Sequence, residues 1–240
     1  MADKTKFIEE LNAKYQPKGE YIVLGKGMLD GEVITEVDVN IPLKTINRHG
    51  LIAGATGTGK TKTLQVFVEQ LSHKGIPTLV MDIKGDLSGI AVEGEQNDKI
   101  NERYAKTKLP YQPQSFPVEL MTISAEKGLK LRATVTEFGP VLLSKILGLN
   151  DTQSSIMSIV FKYADDKGLP LIDLDDLKKT LQYVTDNDEG KKELASNYGA
   201  ISPASLGAIL RSIVAMEQQG ATSFFGEPSF DVEDLLQTRG

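Results

Sequence analysis

The sequence contains no cysteine and only two histidines, His49 and His73. Without cysteine the chain forms no disulfide bond, performs no thiol chemistry and offers no thiolate to a metal. Two histidines far apart in sequence do not form the clustered ligand set of a structural zinc site. These absences exclude disulfide-stabilised and thiol-dependent proteins and argue against a zinc-stabilised fold.

Long hydrophobic runs are also absent. No apolar run approaches the roughly 18 residues that a membrane-spanning helix requires. Residues 1–6 lack the apolar core of a signal peptide. We therefore expect a cytoplasmic protein that is not bound to a membrane.

The chain has no excess of basic residues, and its formal net charge is −6. A protein that coats nucleic acid carries a broad positive surface, because neutralising phosphates supplies most of its affinity. Any contact with DNA must therefore be confined to a local surface. A ring-shaped motor that holds DNA in its central channel meets this condition.

The most informative segment is residues 54–61, which fit the pattern of Gly, four residues, Gly, Lys and Ser or Thr without a mismatch. Its glycines allow successive N–H groups to turn toward phosphate oxygens at the start of the next helix. We expect Lys60 to reach the β and γ phosphates, and Thr61 to offer its hydroxyl to Mg²⁺. The predicted nucleotide-binding residues are Gly54, Ala55, Thr56, Gly57, Thr58, Gly59, Lys60, Thr61 and Lys62.

The flanking residues predict a strand, a loop and a helix in that order. Residues 50–53 form a short apolar run before the loop. Four apolar residues recur at helical spacing after it: Leu64, Phe67, Val68 and Leu71. With both flanks in agreement, we set aside the alternative of a glycine turn that joins a strand to a helix without binding a ligand.

A second candidate site follows the helix. Residues 78–82 form an apolar run that ends in Asp82, and α/β sheets place their ligands at such strand ends. Asp82 is therefore a candidate catalytic residue that contacts the metal shell through water. Its spacing leaves a second interpretation open, in which Asp82 caps the following loop. With Lys84 and Asp86, this loop sets two acids and a lysine beside the predicted phosphate site, where we expect a functional role.

Three other acidic patterns carry less weight. Residues 86–89 match the Asp-x-x-Gly element of GTPases, but no Asn-Lys-x-Asp sequence follows, which disfavours a GTPase. The acidic segments 171–176 and 230–234 resemble metal-binding strands. We interpret both as helix starts, because their carboxylates fall in a first turn, where they complement unpaired N–H groups.

At 240 residues and 40% hydrophobic content, the chain can form one large domain or a domain with an added subdomain. The patterns also predict a hairpin with its turn at Asp30-Gly31 and short strands within 118–124 and 132–135. They further predict an exposed, partly helical stretch at 92–114 and a last long helix that begins at Ser202-Pro203. The predicted organisation is a helix and small β unit at 1–45, the first part of a P-loop core at 46–137, a helical subdomain at 138–220 and a return to the core at 221–240.

Residues 47–61 followed by 82–86 resemble the HerA–FtsK superfamily, whose phosphate loop habitually reads Ala-Thr-Gly-x-Gly-Lys. The likeness to bacterial HerA-like proteins covers nearly the whole chain from about residue 20, and extends to residues 138–140, 147–150, 164–165 and 225–228. The resemblance implies an α/β fold with a RecA-like P-loop NTPase core that uses ATP and Mg²⁺. It also implies a homo-oligomeric, typically hexameric ring that moves double-stranded DNA as a translocase or helicase, in some relatives beside a nuclease partner.

The sequence departs from that family pattern in one respect. We find no Asp-Glu pair on a hydrophobic strand, no sensor residue and no arginine finger. We expect these elements beyond Gly240, and interpret the chain as an N-terminal portion that binds ATP and hydrolyses it slowly. Two alternatives stay open: a nucleotide-binding assembly module without DNA activity, and a small-molecule P-loop kinase, although the chain has no arginine-rich lid.

Overall fold

The computed structural model describes residues 3–236 and Thr238. These residues form a mixed α/β structure in two units. The first unit includes the described residues up to Val118 and those from Glu233 onward, and the second is Glu119–Val232. No helix in the described part of the chain combines the length and the apolar character needed to cross a membrane.

The first unit begins with a helix and a β-hairpin, as the sequence predicts. Helix α1 is Lys4–Tyr15, and the antiparallel strands β1 and β2 are Tyr21–Leu29 and Glu32–Pro42. The two turn residues, Asp30 and Gly31, both have positive φ angles of 49° and 85°. A two-residue turn of this kind matches the twist of the flanking strands, which explains the Asp-Gly sequence.

Helix α2, Lys60–His73, follows the phosphate loop as predicted and is hydrogen-bonded to the hairpin. The backbone N–H of Val23 donates to Oε1 of Gln70 at 2.7 Å, and Nε2 of Gln70 donates to the Val23 carbonyl. Strand pairing shifts by one residue directly after Val23, so these bonds meet β1 at a bulge. One side chain thus fixes the helix that carries the phosphate loop against β1.

The segments on either side of α2 differ from the sequence-based expectation. Residues 50–53 and 78–82, predicted as strands, take part in no strand pairing within the described residues. The exposed fraction is 89% for Leu51 and 88% for Met81. Strands of a parallel sheet are covered on both faces, and the described residues supply neither that cover nor a neighbouring strand. The predicted α/β class is therefore observed, whereas the parallel sheet of the predicted RecA-like core is not observed within the described residues.

The remainder of the first unit is largely exposed. A 3₁₀ turn at Ser88–Ala91 precedes helix α3, Asp98–Thr107, which is capped by Asn97 and has no buried residue. The prediction of an exposed, partly helical stretch at 92–114 is confirmed.

The second unit consists mainly of helices. Its only described strand pair is short, with β3 at Met121–Thr122 parallel to β4 at Leu129–Lys130. The strand predicted at 132–135 is wrong, because its only pairing is an isolated bridge from Ala133 to Phe225 and a helix begins at Val135. The helices are α4 Val135–Ile146, α5 Asp151–Asp166, α6 Leu174–Asp186, α7 Asp188–Asn197 and α8 Pro203–Gln218.

These helices share one apolar core and begin where local capping signals place them. Ser202 caps α8 ahead of Pro203, and Asp173 caps α6, so both sequence predictions are confirmed. The acids of 230–234 likewise open a 3₁₀ helix, Val232–Leu236. The fully buried core residues include Val135, Leu143, Met157, Val160, Leu177, Leu181, Ile209 and Ile213.

Candidate functional site

The glycines of residues 54–61 meet specific steric requirements. Gly59, which precedes α2, has a φ of 94°, a conformation that costs a residue with a Cβ free energy. A Cβ on Gly54 would lie 2.5 Å from the hydroxyl oxygen of Thr58. Substitution at either position would therefore disturb the loop, which explains the glycine pattern in physical terms.

The carbonyl oxygen of Ala55 is the acceptor that holds this loop together. It accepts hydrogen bonds from the backbone N–H of Thr58 at 3.3 Å and from the Thr58 hydroxyl at 2.8 Å. It also accepts from Nζ of Lys60 at 2.8 Å. The Lys60 ammonium group thus lies against the loop backbone, where its charge can attract an anion bound by the loop.

The start of α2 differs from the other helix starts. Seven of the eight α-helices in the described residues begin at a residue whose side chain accepts a backbone N–H. Helix α2 begins at Gly59, which has no side chain to do so. Residues 54–58, which precede this helix start, are also exposed. Such a helix start favours phosphate, because its N–H groups and dipole are complementary to negative charge.

Two residues of α2 contact the loop that follows residues 78–82. The hydroxyl of Thr61 donates to Oδ2 of Asp86 at 3.3 Å, a long hydrogen bond. One helical turn later, Nε2 of Gln65 donates to the backbone carbonyl of Asp86 at 3.0 Å. Gln65 is buried, with 6% of its surface exposed. Because positions four apart lie on one helix face, α2 holds both the side chain and the main chain of Asp86.

Asp82 has a different environment. Its Oδ1 accepts the backbone N–H groups of Lys84 and Gly85 at 3.2 and 2.8 Å, and its Oδ2 accepts that of Leu87 at 2.8 Å. The bond from Leu87 is the largest cause that lowers the pKa of this carboxyl, followed by those from Gly85 and Lys84, while a partial loss of hydration opposes them. The structure therefore places Asp82 as a cap of its own loop, the second interpretation drawn from the sequence.

The oxygen ligands next to the loop suit one kind of metal site. No group of three His, Asp or Glu side chains within residues 3–236 could hold a metal ion by itself. The Thr61 hydroxyl and the Asp86 carboxylate are hard oxygen donors, which Mg²⁺ prefers. Mg²⁺ also keeps several waters and takes phosphate oxygens as ligands, so few protein donors are needed. The pair therefore fits a magnesium ion that is bound chiefly by the phosphates of a nucleotide.

The other predicted residues have simple placements. Thr56 is exposed within the loop, and Lys62 is exposed at the third position of α2. Arg132 of the second unit, which the sequence does not mark as a site residue, donates from Nη1 and Nη2 to the carbonyls of Glu227 and Phe225 at 2.8 and 3.1 Å, so this guanidinium has a structural role. Sequence reasoning did not select Gln65. The one signal for Gln65 in the sequence is that it is a polar residue next to the apolar positions of α2.

Comparison with known proteins gives one family and one relative. The family model described as Helicase HerA-like C-terminal matches residues 29–240. A protein of Methanocaldococcus jannaschii described as "Probable helicase MJ1565" is 35% identical to this chain over 78 residues. The match covers 31% of this chain and 15% of the archaeal protein, so it spans a small part of that relative. No solved structure matches the chain significantly.

Proposed function

This chain belongs to the HerA-like helicase family, as its match over residues 29–240 establishes, and from that premise we propose that it is an ATP-hydrolysing motor that acts on double-stranded DNA. The observation that carries the proposal is the conformation of residues 54–61 at the uncapped start of α2. Family membership supports the motor activity, and the resemblance supports action as a translocase or helicase.

In this proposal each part of the loop has a defined task. The N–H groups at the start of α2 bind phosphate oxygens, and Lys60 neutralises the charge of the β and γ phosphates. The hydroxyl of Thr61 is a ligand of the metal. When bound, Mg²⁺ neutralises charge on the phosphates and orients them for transfer. The exposed residues Thr56 and Lys62 are further contacts of the nucleotide in this proposal.

We extend the proposal to the architecture of the working protein. In the assembled protein, residues 50–53 and 78–82 pair as strands of a RecA-like core. The subunits form a hexameric ring in the cytoplasm, with DNA in the central channel. In some relatives a nuclease is a partner of the ring. The exposed apolar side chains of Leu51, Met81 and Ile83, which is 99% exposed, support this part, since parallel strands are buried on both faces. The net charge of −6 is compatible with DNA contacts confined to a channel.

A nucleotide-binding assembly module without DNA activity is the second candidate. One observation favours it: this portion of the chain has no Asp-Glu pair on a hydrophobic segment to position water, and Asp82 is followed by Ile83. Arg132 is also committed to the Phe225–Glu227 backbone and supplies no arginine finger. Without these groups phosphoryl transfer loses large electrostatic contributions, of which a finger alone accounts for roughly 10³ to 10⁵ in rate.

The rate of ATP hydrolysis, measured with and without double-stranded DNA, distinguishes the two candidates. Lys60→Ala serves as the blank, and Lys99→Ala removes the same charge from an exposed position on α3 as a matched control. The motor proposal predicts turnover that DNA stimulates, that Lys60→Ala reduces to background and that Lys99→Ala leaves unchanged. ATP-dependent assembly in the absence of any response to DNA would instead support the module.

A further inference from the structure

We propose that Asp86 is a positioning residue that orients the hydroxyl of Thr61 and so makes nucleotide binding selective for the magnesium complex over the free triphosphate. The inference rests on the proposed nucleotide site at residues 54–61. In this inference Asp86 influences the metal at that site, and Asp82 holds the loop in place.

The first step of the argument concerns the Thr61 hydroxyl. A hydroxyl group has one hydrogen and two lone pairs, and an ionised carboxylate can only accept. With its hydrogen directed to Oδ2 of Asp86 at 3.3 Å, the Thr61 oxygen keeps its lone pairs for a cation. An acceptor in this position therefore selects the hydroxyl orientation that a metal ligand needs.

The second step concerns what holds Asp86. Its backbone carbonyl accepts from the buried side chain of Gln65 at 3.0 Å. The next residue, Leu87, is 9% exposed, and its N–H is bound by Asp82. The main chain at Asp86 is thus fixed from α2 and from Asp82. The Asp86 carboxylate makes none of these bonds, so it can be removed while the loop keeps its anchors.

The third step is the contrast with Asp82. Three backbone N–H groups occupy the two carboxylate oxygens of Asp82. Those bonds hold the turn from Lys84 to Leu87, in which Gly85 has a positive φ of 74°. Replacing Asp82 releases the turn and moves Asp86 with it, so the loss extends to nucleotide binding in general. Replacing Asp86 removes only the acceptor next to Thr61.

The fourth step is electrostatic. The carboxylate of Asp86 is a negative charge beside the start of α2, where the phosphates bind in the proposed site. Alone, it repels the free triphosphate. A cation between carboxylate and phosphates reverses that sign, because each negative group then faces a positive charge. Asp86 thus weakens binding of the free nucleotide and strengthens binding of the magnesium complex, and a purely structural role has no such opposite effects.

The test is the dissociation constant of ATP, measured by titration calorimetry with excess Mg²⁺ and again with EDTA. For Asp86→Asn we expect binding of the magnesium complex to weaken about 10-fold, the lower end for a lost partner of a metal ligand. Binding with EDTA should stay unchanged or become tighter. Asp98→Asn, the same charge change at an exposed position in α3, should leave both constants unchanged.

Thr61 variants test the route of the effect. Because the orienting part of the effect acts through the hydroxyl, Asp86→Asn should weaken magnesium-dependent binding less in the Thr61→Ala background than in the unaltered chain. Thr61→Ser, which keeps a hydroxyl, should retain the dependence on Mg²⁺.

Equal weakening by Asp86→Asn in Mg²⁺ and in EDTA would overturn the inference, and so would no effect in either. If Lys60→Ala abolished binding in those cases, the proposed nucleotide site would stand without a role for Asp86. Absence of ATP binding by the unaltered chain in both conditions would overturn the site and the inference together.

Discussion

The ammonium group of Lys60 donates to the carbonyl oxygen of Ala55 at 2.8 Å, across the loop that precedes α2. The hydroxyl of Thr58 meets the same carbonyl at the same distance. The groups expected to contact a nucleotide are therefore also the groups that shape the loop. Variants that leave Lys60 in place but alter the loop should consequently affect nucleotide binding.

Thr58→Val should weaken ATP binding by distorting the loop. The substitution keeps the shape of the side chain but removes the hydroxyl that bonds to Ala55, a loss of roughly 1 kcal/mol for a typical hydrogen bond. Titration calorimetry measures the effect. Thr63→Val is the control, because the Thr63 hydroxyl bonds only to the helix carbonyl of Gly59. Equal affinities for the two variants would argue that the Thr58 bond does not shape the site.

Gly59→Ala should destabilise the chain and weaken ATP binding. A Cβ at Gly59 has open space around it, so the cost comes from the φ of 94° alone, roughly 1–2 kcal/mol. Urea unfolding measures the free energy, and Gly50→Ala provides the control, since that glycine also has open space but no positive φ. If Gly59→Ala were as stable as Gly50→Ala, the left-handed conformation at the start of α2 would be wrong.

Gln70→Leu should lower the free energy of unfolding by roughly 1–2 kcal/mol, because it leaves the N–H and carbonyl of Val23 without their partner. Gln70→Glu tests the same contact, since a carboxylate can accept from the Val23 N–H but cannot donate to its carbonyl. We expect both variants to show lower urea midpoints. Unchanged midpoints would show that Gln70 does not join α2 to the hairpin.

The carboxylate of Glu137 should stabilise α4 in a pH-dependent way. It accepts from the N–H and hydroxyl of Thr134 at 3.0 and 2.9 Å and from Ser229 at 3.1 Å. The bond from the Thr134 N–H, followed by that from its hydroxyl, holds the pKa of Glu137 below its ordinary value of 4.5. The stabilisation is therefore complete above pH 4.5 and is lost as pH falls through the lower, folded-state pKa.

Glu137→Ala measures this contribution. At pH 7 the variant should lose about 0.5–1 kcal/mol, the lower part of the range for a helix cap, because the side chain is exposed. Below the folded-state pKa the difference from the unaltered chain should shrink. Glu137→Gln, which keeps a capping side chain without the charge, should show a smaller pH dependence. A penalty equal at neutral and acid pH would contradict the role of the ionised carboxylate.

Features with local causes could be predicted from the sequence. The turn at Asp30-Gly31 follows from backbone freedom, and the start of α8 follows from a capping serine before a proline. The helix after the phosphate loop follows from its apolar spacing. In each case the interacting residues lie within a few positions of one another.

Features that depend on distant partners could not be predicted. The apolar runs at 50–53 and 78–82 indicate strands, but pairing requires neighbouring strands that no local pattern identifies. The choice between Asp82 and Asp86 depends on the turn at Gly85, which sends one carboxylate back to the loop and brings the other to Thr61. Gln65 can hold Asp86 only because that turn brings the carbonyl of Asp86 next to α2.

The most direct test of the central claim, that residues 54–61 bind a nucleoside triphosphate, is the shift in the urea midpoint on adding ATP with Mg²⁺. A ligand that binds only the folded chain stabilises it by about 2.7 kcal/mol at 100 times its dissociation constant. We predict a midpoint that rises with ATP concentration in the unaltered chain and in Lys99→Ala, but not in Lys60→Ala. No shift in the unaltered chain, or an equal shift in Lys60→Ala, would contradict the claim.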